Sequence, residues 1–335
     1  MNEHMRASDI LPASEEQGSN LTYFAFAKPC TAEAVIAPTK AVRGELPKVL
    51  AGRYRIERLL GAGGMGAVYR ARDLLSEQFG EPAPYIALKI LSEDLADSPD
   101  ASALLYSEFA LTRYLRHDNI VRVHTFEVDS DCQRAFITME LMPGLTLDNF
   151  LCERPHGLPW DELRDITLAL LDALAHAHAR GVLHGDVKPS NVMLSDEGIR
   201  LFDFGLGQAQ EGILPGLPQL SRERFNGWTC GYAAAELLEG QPLSASADVY
   251  SVACVIYELS GGKHPFRRLP STEARNQQLE RELPAPLNLP GHVWPALRAA
   301  LAFDVADRTI TARQLRDAFT VTPSRLQRWM CWRKG

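Results

Sequence analysis

Asp186, Lys188 and Asn191 stand at i, i+2 and i+5 in the segment His184-Gly185-Asp186-Val187-Lys188-Pro189-Ser190-Asn191, and a second carboxylate follows in Asp203-Phe204-Gly205. A base, a cation and two hard oxygen ligands at that density suit one chemistry. They hold a hydroxyl in line with a phosphoryl group while Mg²⁺ and the cation carry its charge. Such a loop works only if regular elements hold it, and the spacing of apolar residues shows where those elements lie.

Upstream, Pro159-Trp160-Asp161 opens a helix that runs to Arg180, with Leu163, Ile166, Leu170, Leu171 and Leu174 on one face and Gly181 as its stop. His176 and His178 are two apart in this helix and face different directions, so they read as packing or surface residues rather than a metal pair. His184 reads as scaffold rather than base. Before this helix come strand patterns. Tyr54 to Leu60 alternates, Ala67-Val68-Tyr69-Arg70-Ala71 follows a glycine-rich turn, and Tyr85-Ile86-Ala87-Leu88-Lys89-Ile90-Leu91 is apolar with one lysine inside it. That lysine needs an anion, because burying an unpaired ammonium is costly. Ala101 to Arg116 has helical spacing and carries Glu108, a candidate partner for Lys89. Asp118-Asn119 ends it, Ile120-Val121-Arg122-Val123 starts a strand, and Phe136 to Leu141 forms another before Pro143-Gly144.

The glycine-rich stretch Gly61-Ala62-Gly63-Gly64-Met65-Gly66-Ala67-Val68-Tyr69 brings backbone N–H groups onto phosphate oxygens. The same spacing occurs in dinucleotide-binding units, where a helix follows the glycines. Here a strand follows, which favours a nucleotide-covering hairpin.

The chain has 335 residues, of which 46% are apolar, so it can build a sizeable core. A formal charge of −7 argues against nucleic acid as the main partner. Six scattered cysteines without a Cys-x-x-Cys pair read as reduced thiols of a cytoplasmic protein, not a disulfide frame or zinc site. No stretch is long and apolar enough for a transmembrane span, and Val249 to Leu259 reads as a buried helix. The N-terminus lacks the pattern of a signal peptide. Residues 1–50 show no sustained periodicity and read as a flexible tail, with a short apolar stretch from Leu21 to Ala27.

Taken together, the motifs resemble the eukaryotic-like protein kinase family, close to the bacterial serine/threonine kinases. Eight motifs occur in order: the Gly61–Val68 loop, Ala87-Leu88-Lys89, Glu108, Met139-Glu140, His184 to Asn191, Asp203-Phe204-Gly205, Thr229-Cys230-Gly231-Tyr232 to Glu236, and Asp248 with a distant Arg308. The resemblance implies a two-lobed α+β fold with ATP in the cleft. The kinase domain would span 54–319, with a small antiparallel-sheet lobe plus one helix over 54–142 and a mainly helical lobe over 143–319. It implies that Lys89 holds the α- and β-phosphates with Glu108 fixing it, that Asp186 is the catalytic base, and that Lys188 neutralises the moving phosphoryl group. Asn191 and Asp203 would hold Mg²⁺. Val68 and Ala87 would cover the adenine with Met193 below it, Met139 would guard the back of the pocket, and the backbones of Glu140 and Met142 would bond the base. Lys188 followed by Thr229 matches the serine/threonine pattern and separates the chain from small-molecule phosphotransferases. Protein substrates, autophosphorylation and a metal-dependent serine/threonine phosphatase as counterpart follow by the same resemblance. The reading from another class is a pseudokinase scaffold that binds partners without chemistry. Retention of Lys89, Asp186, Asn191 and Asp203 argues against it.

The chain departs from the family in three places. Gly185 stands where many regulated kinases carry an arginine that a loop phosphate neutralises. Weak dependence on activation-loop phosphorylation is the expectation, unless Arg222 or Arg224 takes over the anchoring. Cys230 and Ala235 replace common prolines, the first reading as an inert thiol. Glu236 remains, with Arg308 as its buried partner. The last stretch, over 320–335, is basic with Trp329 and Trp332. It reads as a helix packing on the large lobe, with contact to an anionic membrane surface as the other reading.

Overall fold

The structure is a computed structural model that describes residues 46–63, 66–91, 99–217 and 228–321. The expectations for residues 1–45, for Gly64 and Met65, for Arg222 and Arg224, and for the tail with Trp329 and Trp332 lie outside these residues.

Six antiparallel strands form the first layer: β1 (Val49–Leu50), β2 (Tyr54–Gly63), β3 (Gly66–Asp73), β4 (Tyr85–Leu91), β5 (Val123–Val128) and β6 (Ala135–Glu140), in the spatial order β1-β2-β3-β4-β6-β5. Strand β4 is central, with Lys89 paired to Val68 on one side and Ile137 on the other. The period of two then sorts its side chains. Ala87 and Leu91 join one apolar cluster with Leu105, Phe109, Ile137 and Met139. Leu88 and Ile90 join another with Leu50, Tyr54 and Phe136. Lys89 lies on the first face, under helix α2 (Pro99–Tyr114). This helix packs Leu105 and Phe109 against the sheet and Leu111 into the second, larger core, which Leu115 joins just past its end. Glu108 sits at that junction.

The second layer is helical: α3 (Leu147–Cys152), α4 (Trp160–Ala179), α5 (Ala235–Leu238), α6 (Ala245–Gly261), α7 (Ser271–Asn276), α8 (Trp294–Ala300) and α9 (Ala312–Thr320). Its short strands form two small sheets, β7 (Leu145–Thr146) with β9 (Val192–Ser195) and β10 (Gly198–Leu201), and β8 (Val182–Leu183) with β11 (Gln208–Ala209). Helix α4 buries the leucine stripe read from its sequence. Helix α6 is buried from Ala247 to Ser260, starts on a Ser244 cap and supplies Asp248 from its first turn. A helix apolar all round belongs inside a core. Helix α9 is fixed by a Thr311/Gln314 capping box and stacks Phe319 on Trp160 at 5.7 Å. No helix among the described residues is long and apolar enough to cross a membrane.

Three local features differ from the expectations. Pairing starts at Val49, ahead of Tyr54, because Leu50 is fully buried and pairs with Tyr54. The connection after β3 contains a short helix, α1 (Leu74–Gln78), capped by the Asp73 carboxylate on the Leu75 and Ser76 amides. Ile120 makes an isolated parallel bridge to Leu201 before the strand proper begins at Val123.

Candidate active site

One ammonium sits between two carboxylates at the centre of the molecule. Lys89 Nζ lies 2.7 and 2.6 Å from the two Glu108 oxygens and 2.8 Å from Asp203 Oδ1. Burial alone would lower the Lys89 ammonium, but Asp203 and Glu108 outweigh it and hold it above its ordinary value. Burial would raise Asp203 in turn, and Lys89 overrides this to hold its carboxyl at about 2. Burial raises Glu108, with Lys89 opposing and Asp203 adding to the rise. One cation therefore serves two anions, and the cluster keeps a spare negative charge.

The loop from His184 to Asn191 hangs from helix α6. Asp248 accepts the backbone N–H of His184 (2.9 Å) and of Gly185 (2.8 Å), and its Oδ2 is 2.9 Å from His178 Nε2. Burial works against the Asp248 carboxylate, and His178 with His184 more than offsets it, so its pKa is lowered. Gly185 has φ +83°, and a Cβ there would come within 2.6 Å of the Leu206 carbonyl oxygen. A glycine is required by both counts. Nδ1 of buried His184 accepts the Asp186 N–H at 3.1 Å, so Nε2 carries the proton given to the Phe202 carbonyl at 3.1 Å. The scaffold role expected of His184 has this geometry.

Lys188 Nζ is 2.5 Å from Asp186 Oδ2 and donates to Thr229 Oγ1 at 2.8 Å. Asn191 Nδ2 donates to the Asp186 carbonyl (2.9 Å) and to Asp186 Oδ2 (3.3 Å). The Asn191 carbonyl accepts from Phe202 N at 3.0 Å, which ties this loop to the residues leading into Asp203. Asp203 itself has φ +65°. Phe204 is fully buried against the His184 ring, 4.5 Å between centroids.

Val68, Ala87, Met139 and Met142 share one apolar cluster at the sheet side of the site. Met193 comes from strand β9 of the other layer, partly buried, paired with Thr146 and Arg200. Glu140 ends β6, its N–H bonded to the Arg122 carbonyl at 2.9 Å. Gly61, Ala62 and Gly63 end strand β2 and Gly66 begins β3. A Cβ at Gly66 would meet the Ile90 carbonyl oxygen at 2.1 Å, so the hairpin lies flat on β4 only with glycine there.

Further out, Arg308 reaches Glu236 at 2.6 Å as a fully buried pair. Cys132, Cys152 and Cys254 are free, in line with the reading of reduced thiols, whereas Cys230, next to Thr229, is disulfide-bonded. Sequence reasoning missed the His178–Asp248 bond and the buried Tyr232–Glu258 bond of 2.5 Å, with Arg268 on Glu258 at 2.8 Å. These partners are 70, 26 and 10 residues apart, and no local pattern marks them.

The donor set fits a hard divalent cation. Asn191 uses its amide nitrogen on Asp186, which leaves its side-chain oxygen without a partner among the described residues. Asp203 gives Oδ1 to Lys89 and leaves Oδ2 in the same state. Two oxygens plus a spare negative charge are what Mg²⁺ requires of a protein when phosphates and water complete its shell.

The model of the protein kinase domain family matches residues 54–316. The serine/threonine-protein kinase PkaA of Streptomyces coelicolor is 32% identical over 265 residues, covering 76% of this chain and 47% of that protein. The serine/threonine-protein kinase PknA of Mycobacterium tuberculosis is 31% identical over 274 residues, covering 80% of this chain and 61% of that protein. The chain thus spans about half the length of the curated relatives it matches. Among solved structures, the kinase domain of Mycobacterium tuberculosis PknI is similar with a TM-score of 0.58 and 29% identity, over 81% of this chain and 96% of that one.

Proposed function

The chain belongs to the protein kinase family, and from that premise we propose that it transfers the γ-phosphate of ATP to serine or threonine hydroxyls of proteins, itself included. The observation that carries this reading is Lys188, held between Asp186 at 2.5 Å and Thr229 at 2.8 Å. That geometry places a cation beside a carboxylate and ties both to the segment that leads to Glu236.

In this reading Asp186 orients the substrate hydroxyl and takes its proton as the new O–P bond forms. The bond between the γ-phosphorus and the β–γ bridging oxygen breaks, and ADP leaves with that electron pair. Lys188 offsets the charge on the moving phosphoryl group. Lys89, fixed by Glu108, holds the α- and β-phosphates. Gly61 to Gly66, with Gly64 and Met65 at the turn, would cover them with backbone amides. Val68, Ala87, Met139 and Met193 would enclose the adenine, with the Glu140 and Met142 backbones bonding its edge. Asn191 and Asp203 would hold Mg²⁺, which supplies charge neutralisation on the phosphates when bound. The catalytic unit is taken as 54–319, with lobes over 54–142 and 143–319, working in the cytoplasm with a metal-dependent phosphatase as its counterpart.

Gly185 supports a further part of the reading. Its backbone geometry leaves no room for a side chain, so no cation stands there for a loop phosphate to neutralise, and activity depends little on loop phosphorylation. The test is incubation of purified protein with γ-labelled ATP and Mg²⁺ beside an Asp186→Asn variant, with mapping of labelled sites. Label in the wild type alone is expected. Equal label in both, or ATP binding with no transfer, would sink the catalytic reading and favour a scaffold. Loss of activity after phosphatase treatment of Thr229 and Ser221 would sink the Gly185 reading alone.

A further inference from the structure

Several guanidiniums among the described residues are matched to carboxylates: Arg53 to Asp73, Arg72 to Glu57 and Glu77, Arg308 to Glu236. One cavity gathers guanidiniums that lack such a partner. A cavity of about 580 Å³ opens where the last turn of helix α2 runs into the loop before strand β5, and it is lined by Arg113, Arg116 and Arg122 together with His117 and His124. Arg113 and Arg116 have no carboxylate within ion-pair distance among the described residues. Arg113 lies 5.6 Å from the Phe109 ring, a contact that leaves its N–H groups available. Arg122 has Asp118 at 3.7 Å, but that carboxylate is 94% exposed and screened by water. The lining therefore carries three guanidiniums against one acid.

Among the described residues, the surroundings add no anion for the first two arginines. The ring of His176 lies tilted against His117 at 5.0 Å, its Nε2 buried and without a partner among the described residues, and Arg180 stands over Tyr114 behind it. Glu140 is engaged by the Arg122 amide and by Arg200. The floor is apolar, with Leu115, Ile120 and Val121 buried. Like charges converging on a cavity are unfavourable unless an anion joins them.

We propose that this cavity is a binding site for a small organic phosphate, gripped by Arg113 and Arg116 with its apolar part on the Leu115–Ile120 floor. Three properties select that class. The cavity is within the usual size of small-ligand sites, roughly 300–1,000 Å³. Guanidinium forks match phosphate oxygens in pairs. A phosphate monoester carries a charge of about −1.5 to −2 at neutral pH, which meets the excess of the lining. None of these residues belongs to the cluster around Lys89 and Asp186.

The probe is phenyl phosphate, titrated calorimetrically into the wild type, into an Arg113→Gln/Arg116→Gln double variant and into Lys89→Met. Both arginines are exposed, so the double variant keeps the fold, which thermal melting checks. Wild type is expected to bind phenyl phosphate but not phenol. The double variant should bind about tenfold or more weakly, as expected for losing charge-assisted bonds, and Lys89→Met should bind as wild type does. Absence of binding to the wild type would overturn the proposal. So would unchanged affinity in the double variant, or loss in Lys89→Met, which would put the ligand in the other cleft. A phosphoserine peptide that needs the two arginines while phenyl phosphate does not bind would overturn the small-molecule assignment.

Discussion

Arg308 is 3% exposed and gives its guanidinium to Glu236, to the carbonyls of Ala302 and Phe303, and to Ser246. Lys89 is 7% exposed and faces Glu108 and Asp203 with a single ammonium. Both are buried cations, yet only the first is closed. Every strong donor of Arg308 meets an acceptor, and the pair is neutral. Around Lys89 two carboxylates compete for one charge, and one of them keeps an oxygen turned elsewhere. Spare charge and spare lone pairs at Lys89 set it apart from the closed pair, in keeping with the ligand-binding role proposed for it.

The largest effect should come from opening the closed site. Arg308→Met leaves Glu236 buried and unpaired, and should cost about 3–5 kcal/mol of stability, read by urea denaturation. A loss well under 1 kcal/mol would break the contrast. Lys89→Met tests the other side. Phosphoryl transfer should fall about 10²–10³-fold, near 3–4 kcal/mol at the transition state. The stability loss should be smaller than for Arg308→Met, because Glu108, already pushed up by burial, takes a proton. Equal stability losses in the two variants would erase the distinction.

Asp248 belongs with Arg308, since its oxygens are taken by the His184 and Gly185 amides and by His178. Gly185→Ala puts a methyl group against the Leu206 carbonyl at φ +83°, and should cost about 1–3 kcal/mol, read by thermal melting. A smaller contribution comes from Arg53–Asp73, where the arginine is 38% exposed. The Arg53 guanidinium bonded to Asp73 holds that carboxyl at about 2. A carboxyl with a depressed folded-state pKa stabilises the fold above its unfolded value, near 4, and loses that effect as pH falls towards 2. The stability gap between wild type and Asp73→Asn, on the order of 1 kcal/mol after solvent screening, should therefore narrow between about pH 4 and pH 2. A gap that is constant with pH would show that Asp73 acts through its cap on helix α1 alone.

The parts legible in the sequence were those with a long period or a misfit residue. A twenty-residue leucine stripe marked α4, and a lysine inside an apolar strand asked for the anion that Glu108 supplies. The parts that stayed hidden are short or long-range. Helix α1 has five residues and buries none of them, so it leaves no apolar signature. Strand β1 has two residues and exists only because Leu50 finds Tyr54 and the sheet beneath. The bridge from Ile120 to Leu201 and the bond from His178 to Asp248 join positions whose proximity is a product of the whole fold. The gathering of Arg113, Arg116 and Arg122 on one cavity is likewise a product of the fold, since a helix end and the start of a strand meet there.

Asp203 has a left-handed backbone without being glycine, a conformation that costs on the order of 1 kcal/mol, and its contact with Lys89 helps to hold it there. A divalent cation arriving at the free Asp203 oxygen would draw on the same carboxylate. Linkage makes that competition reciprocal: whatever factor Lys89 imposes on cation affinity, the cation imposes on the grip of Lys89. The loop that carries Asp203 and the helix that carries Glu108 thus read each other's state through one shared positive charge, and a shift in either one is felt as a change in affinity at the other.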